Sequence, residues 1–271
     1  MTSVTETPRA AVVSAHRAHV VGDALTMTWR NLLNIRRNPQ LLVFATIQPV
    51  IFVVMFRYVF GGAIQGSLPP GQTYIDFLMP GIFVQTIVFG ALTTGVGLAD
   101  DLNKGLIDRF RSLPMARSAV LVGRTFADLV RNVFVVLLMC VVGFIVGWTI
   151  GTNVWGLLGC IGIIVAFSYS LCWVFAIVGL SVKDAETAQA VSFPILAPLV
   201  FASSAFVPVA TMPSWLQPWA KNQPVSVVVN AARQLTIGGP ISGYVVKAII
   251  WIVAIIAVCA PIAVARYRRA V

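Results

Sequence analysis

Apolar runs too long for a soluble domain to bury govern what this chain can fold into. Two of them, residues 74–99 and 119–148, each exceed the roughly 20 residues that carry a helix across the hydrocarbon of a bilayer. Four more, at about 41–60, 156–182, 188–207 and 244–265, reach that length. Hydrophobic residues make up 58% of the chain and charged residues only 10%, where soluble domains carry about a quarter charged. Every backbone N–H and C=O in lipid must be satisfied internally, which an apolar run achieves as a helix. The sequence therefore predicts an all-α polytopic membrane protein with six transmembrane helices.

A net charge of +10 does not make this a nucleic-acid binder, because the basic residues gather at the ends of apolar runs instead of forming one free face. Arg9, Arg17, Arg30, Arg36, Arg37, Lys104, Arg109, Arg111, Arg117, Arg124, Lys183, Arg266, Arg268 and Arg269 fall on one side of the six-span path. Lys221 and Arg233 stand on the other, with Lys247 and Arg57 at its border, where Arg57 is expected to snorkel outward. That asymmetry predicts a multi-pass plasma-membrane protein with both termini in the cytoplasm. The first apolar run begins only near Leu41, so the first span is expected to act as its own insertion signal.

Three regions follow from the pattern. Residues 1–21 lack a periodic apolar face and read as a mobile cytoplasmic tail. Residues 22–38 read as an interfacial amphipathic helix: Leu25, Trp29, Leu32 and Leu33 share one side, Arg30, Asn34 and Arg37 the other, and Asp23 caps the start. Residues 39–271 hold the six spans. Within them, 61–72 carries Gly-Gly and Pro-Pro without charge and reads as an outer loop. Pro80-Gly81 predicts a kink in the second span, and Pro194 and Pro198 predict bends in the fifth. The third span is expected to open with Arg124, Asp128 and Arg131 paired along one face. It is expected to finish in a small-residue ridge of Gly143, Gly147 and Gly151. Between the fifth and sixth spans, 212–219 and 225–236 are too short to cross and read as paired interfacial or re-entrant helices at the outer surface.

The densest charged stretch is 100–117, lying between the second and third spans. Leu102, Leu106, Ile107 and Phe110 recur at helical spacing, with Lys104, Asp108 and Arg111 opposite, and Pro114 stops the pattern. That describes a short amphipathic helix against the cytoplasmic membrane face, although a solvated connection between spans would fit equally. Catalytic signatures are missing: there is no Gly-x-x-x-x-Gly-Lys-Ser/Thr, no His-Glu-x-x-His and no Gly-x-Ser-x-Gly. Nor is there an ionisable cluster at mid-membrane of the kind that drives ion-coupled transport. Cys140, Cys160, Cys172 and Cys259 lie in apolar runs and read as small hydrophobes, with no metal site. Gln48 and Gln85 are candidates for contact with a passing substrate, and equally for ordinary interhelical hydrogen bonds.

Several motifs resemble the membrane subunits of ABC-2 type transporters (type V exporter-like), especially the daunorubicin-resistance group of drug-efflux permeases. They are the 25–37 helix before the first span, Lys104-Gly105-Leu106 with Arg109-Phe110-Arg111-Ser112-Leu113-Pro114, and Pro213-Ser214-Trp215-Leu216-Gln217-Pro218-Trp219 followed by Gln223-Pro224-Val225. Where many members begin the cytoplasmic helix with Glu, this chain has Asp100-Asp101. The resemblance implies a permease without its own ATPase, working with two copies of a separate ATP-binding subunit that carry ATP and Mg, and with a second membrane subunit, identical or paralogous. It implies a coupling helix in which Leu102, Lys104, Gly105, Leu106, Asp108, Arg109, Phe110 and Arg111 meet the ATPase, with Trp29, Arg30 and Leu33 beside it. It also implies a substrate path along Gln48, Gln85, Phe52 and Phe201. Export of amphipathic drugs, natural products or lipids is the expectation. A lipid-linked polysaccharide exporter and a non-transporting membrane scaffold are the alternatives.

Overall fold

A computed structural model describes residues 22, 25–33, 37, 39–69, 71–105, 117–238 and 242–270. Among these the regular structure is helical, with no strand. Helix α1 covers residues 25–33. The first span is α2 (Pro39–Met55), a π turn (Phe56–Phe60) and α3 (Gly61–Gln65) in continuous succession. There follow α4 (Tyr74–Asn103), α5 (Arg117–Val146), α6 (Val154–Gly179) and α7 (Ala185–Phe201). Two short helices, α8 (Gln217–Asn222) and α9 (Pro224–Ile237), precede α10 (Ser242–Ala270). Among the described residues five stretches are long and apolar enough to cross a membrane: Ala45–Gln65, Tyr74–Asn103, Leu121–Val146, Val154–Gly179 and Gly243–Arg269. The sixth, α7, is apolar but only 17 residues long.

Local chemistry sets the starts. Thr73, Asn153 and Asp184 have extended backbone and accept from the N–H of Asp76, Gly156 and Thr187 respectively, so α4, α6 and α7 each begin on an N-cap. Asp184 sits outside the membrane helices, and the Thr187 backbone N–H holds its carboxyl below the usual carboxylate range. At the far end of α5, Gly147 takes φ +94° while the Trp148 N–H reaches the Gly143 carbonyl at 2.8 Å. This is a Schellman stop, and glycine supplies the left-handed residue it requires.

The centre of the bundle is α4. Of its apolar window 72% is buried, against 17% for the first span and for α10, so α4 is core and the other two are rim. Residues 77–88 are buried without interruption. The rim helices turn Ile47, Ile51 and Val54, and Ile249, Ile250 and Val253, outward as lipid-facing side chains. α4 meets α6 backbone to backbone. A β-carbon on Gly179 would stand 2.2 Å from the Gly95 carbonyl oxygen, and one on Gly95 would stand 2.5 Å from that of Phe175. α7 lies on α4 by a single stripe, with Ala188, Ser192, Leu196 and Val200 buried at every fourth residue.

Several expectations change in the structure. Gly61 and Gly62 are helical, not loop, so the first span runs on to Gln65. The side chain of Gln65 then closes the connection, accepting from the Tyr74 N–H and donating to the Gln72 carbonyl, both at 2.8 Å. The three-glycine ridge does not form. Gly143 packs on Met79, Gly147 ends the helix, and Gly151 lies beyond it against the Ile237 carbonyl. Arg57 finds a partner that the sequence does not indicate, donating to the carbonyl of Val146 at the end of α5. The fifth span stops at Phe201 instead of Val207, and residues 203–206 fold back, buried, under α9. Residues 213–216 form a turn, because Pro218 starts a helix better than it continues one, and α8 begins only at Gln217.

Of the interfacial and re-entrant readings of 225–236, the burial of α9 fits the re-entrant one. Val225, Val227, Val228, Val229, Ala231 and Ala232 are buried, and the helix packs among α4, α6 and α10. Arg233, expected at the outer edge, is buried with it. Its Nε donates to the Phe77 carbonyl at 2.8 Å, and Nη2 donates to the carbonyls of Ser204 and Ala205 at 2.7 and 3.0 Å. Nη1 reaches Asn230 Oδ1 at 3.2 Å, and the guanidinium lies 3.4 Å from the Phe77 ring centroid. Carbonyl dipoles and a π face thus take the place of a carboxylate.

Candidate functional site

A cleft of about 790 Å³ opens among α1, α2, α4, α5 and α7. Its lining follows helical periodicity. α4 contributes Gln85, Phe89, Thr93, Val96 and Asp100, α5 contributes Arg124, Asp128, Arg131 and Val135, and α7 contributes Ala185, Gln189 and Phe193. Gln48 and Pro49 come from α2 and Asn31 from α1. The volume is in the range of small-molecule sites, and apolar walls with a few placed polar groups are their usual composition.

One end of the cleft is charged. Arg124 pairs with Asp101 across the helix gap and stands 3.6 Å from Asp128, and Arg131 pairs with Asp128 at 3.3 Å. Arg131 also donates to the Gly90 carbonyl at 2.7 Å and to Asn132 Oδ1 at 3.2 Å, while Asn132 donates to Ser168 at 2.7 Å. The pairing along α5 is the one its spacing predicts. Asp101 is the partner that sequence reasoning missed. Its signal was available: α4 ends near where α5 begins, so acids closing one helix face bases opening the next. Two acids and two arginines make a charge-neutral network tying α4 to α5.

The structure separates the four residues expected on the substrate path. Gln48 and Gln85 both line the cleft. Phe52 and Phe201 do not; they meet through Phe206, at ring-centroid distances of 6.1 and 5.9 Å, in a cluster that Phe56 joins at 4.6 Å. Phe52 is one turn along α2 from Gln48, so the aromatic cluster continues the cleft's line instead of forming its wall.

Among the expected coupling residues, Leu102 lies in the last turn of α4, which ends at Asn103. Lys104 pairs with Asp100 at 2.6 Å, which holds its ammonium above the usual range, and Gly105 takes φ +63°. The membrane helix therefore claims the start of the amphipathic stretch. Leu106, Asp108, Arg109, Phe110 and Arg111 lie outside the described residues. On α1, Trp29 is 63% exposed and Arg30 is exposed, while Leu33 is half-buried. The buried side of that helix is Met27 and Thr28, the latter donating to the Gly123 carbonyl at 3.3 Å. α1 is thus docked on α5, with Trp29 left to the surroundings.

Bundle and cleft together define a polytopic membrane protein with a ligand-sized cleft among its helices. Residues 23–237 match the family described as ABC-2 type transporter, and the chain belongs to that family. It is 33% identical over 254 residues to the daunorubicin resistance ABC transporter permease protein DrrB1 of Streptomyces coeruleorubidus, covering 93% of this chain and 88% of that one. It is 26% identical over 251 residues to the probable doxorubicin resistance ABC transporter permease protein DrrC of Mycobacterium tuberculosis, covering 92% and 90%. A putative transport permease, ycf38, of Pyropia yezoensis is 27% identical over 221 residues, covering 80% and 74%.

Proposed function

We propose that this chain is the membrane permease subunit of an ATP-driven exporter that moves amphipathic drugs, natural products or lipids out of the cell. The observation that carries this reading is the similarity, over 93% of the chain, to a permease named for daunorubicin resistance. The cleft supports it as a candidate place for the cargo: a largely apolar space among the spanning helices with a charged, network-braced end. That end faces the cytoplasm in the orientation that the basic residues favour. ATP and Mg belong to a separate ATPase, present in two copies, which docks on the 102–113 stretch and on α1. A second membrane subunit completes the path. Closure of the ATPases shifts the α4–α5 end and with it the two faces of the cleft.

The test is reconstitution. The permease is co-purified with a candidate ABC ATP-binding subunit, and ATP hydrolysis is measured in lipid with and without candidate amphiphiles. Stable assembly with compound-stimulated hydrolysis is expected, and the double variant Lys104→Glu/Arg111→Glu is expected to lose both. Assembly and transport that survive the double variant overturn the docking assignment. Failure of the wild type to hold any ATPase in mild detergent overturns the exporter reading and favours a scaffold.

A further inference from the structure

The last turn of α10 carries Arg266, Arg268 and Arg269, all exposed, around a buried Tyr267. Helical geometry puts Arg269 nearly opposite Tyr267, with Arg266 and Arg268 on the flanks. Tyr267 belongs to a buried cluster with Leu98 of α4, Leu121 of α5, and Trp173 and Ala176 of α6. The arginines therefore project from a seated helix, not from a free tail. Arg266 donates to Ser181 Oγ in the turn between α6 and α7, which brings the exposed Lys183 two residues away. Two separate elements thus gather four cations at one end of the bundle.

These cations lack the partners that the others have. Lys104, Arg124 and Arg131 are all ion-paired, whereas Lys183, Arg266, Arg268 and Arg269 form no ion pair among the described residues. The acids on the same turn are Asp184 and Glu186. Asp184 is engaged by the N–H and hydroxyl of Thr187 at the start of α7, and Glu186 is exposed. Four bases against two acids leave the patch at a net +2.

An apolar track leads up to it. Trp251, Val258, Ile262 and Arg269 recur at i, i+7, i+11 and i+18, which is one line along α10, and all four are exposed. From Val258 to Arg269 the helix rises about 16 Å, about half of a hydrocarbon layer of roughly 30 Å. The track is therefore one leaflet deep and is crowned by guanidinium groups, which suit phosphate oxygens. A soluble anion could use only the crown, while a diacyl lipid with an anionic headgroup uses both.

We propose that the end of α10 and the α6–α7 turn form a binding site for one anionic phospholipid. Its phosphate sits at Arg268 and Arg269, with Arg266 and Lys183 beside them, and an acyl chain lies along Ile262 and Val258. The site is outside the cleft, and the lipid is a bound partner, not cargo.

The test is equilibrium binding of radiolabelled dioleoylphosphatidylglycerol and dioleoylphosphatidylcholine to the delipidated full-length permease in detergent micelles, with protein-free micelles subtracted. Each basic side chain near an anionic lipid surface is worth about fivefold in affinity. The net +2 patch should therefore bind phosphatidylglycerol about 25-fold tighter than phosphatidylcholine, whose chains are the same. Arg268→Gln/Arg269→Gln should abolish that preference, and Arg268→Lys/Arg269→Lys should keep most of it. Lys221→Gln/Lys247→Gln, which removes two exposed cations elsewhere, should leave it unchanged; melting reports that each variant is folded. Equal binding of the two lipids by the wild type overturns the proposal, as does a folded Arg268→Gln/Arg269→Gln that keeps the preference. Displacement of the lipid by equimolar inorganic phosphate, at ionic strength matched with chloride, overturns the lipid in favour of a free anion. No ATPase or cargo enters the assay, so its failure leaves the exporter reading standing, and failure of ATPase-coupled transport leaves this result intact.

Discussion

Replacing Gly179 with alanine should loosen the central α4–α6 contact, and the structure sets the size of the effect. The new β-carbon would lie 2.2 Å from the Gly95 oxygen and 2.9 Å from its carbonyl carbon, where ordinary contact begins at 3.4 Å. The helices must therefore part by about 1 Å. Both obstructing atoms are backbone, so no rotamer change can relieve them, and the cost belongs at the upper end of the ~1–3 kcal/mol typical of overpacking. Alanine recovers up to ~1 kcal/mol in helix propensity, less at the last residue of a helix. The net loss is about 2 kcal/mol. Gly162, on the same helix, is the control: it is exposed and nothing lies within 4 Å of where an alanine methyl would stand, so Gly162→Ala keeps only the propensity gain. Thermal unfolding of the purified proteins in one detergent reads both. Gly179→Ala should melt ~5 °C or more below wild type, and Gly162→Ala at or slightly above it. A Gly179→Ala protein as stable as wild type would refute the argument that this contact is backbone-limited.

Two further outcomes follow from other contacts. Arg57→Met should lower stability by ~1 kcal/mol, because the Val146 carbonyl loses its donor at the end of α5; melting in the same detergent checks it. Asp184 caps α7 through a carboxyl held below its usual range, so its stabilisation is complete above the ordinary carboxylate value near ~3.9 and disappears as pH falls through the lowered one. Hydrogen exchange at residues 185–188, corrected for intrinsic rate, should rise in acid for wild type and much less for Asp184→Asn, which caps without titrating.

Span existence was legible because hydropathy is read over some 20 residues at once. Ends were harder. Asp184 and Thr73 fix helix starts through hydrogen bonds to residues three positions on, whereas the stop at Phe201 depends on α9 being present to cover residues 203–206, a partner distant in sequence. The three glycines at 143, 147 and 151 share a spacing but not a helix, since one of them ends it. Of the site, Gln48 and Gln85 could be singled out as polar residues in apolar runs, and they do line the cleft. Asp101 was findable only by looking beyond one helix's spacing, because it closes α4 while its partner Arg124 opens α5. Phe52 and Phe201 were separable from the cleft only once Phe206 was seen between them.

The short helix of the fifth span, α7, carries a mechanical consequence. Its 17 residues rise about 25 Å, several ångströms short of a hydrocarbon layer of about 30 Å. The chain beyond it is moored, since Arg233 grips the Ser204 and Ala205 carbonyls and Gly81 presses on the Ala205 backbone. The opposite end begins at a half-buried cap and touches α4 along one row of side chains. A rod fixed at one end and seated along a single row of side chains would turn about the mooring. Displacing it swings Ala185 and Gln189 through the widest arc and Val200 through the narrowest, so the cleft widens first at its charged mouth.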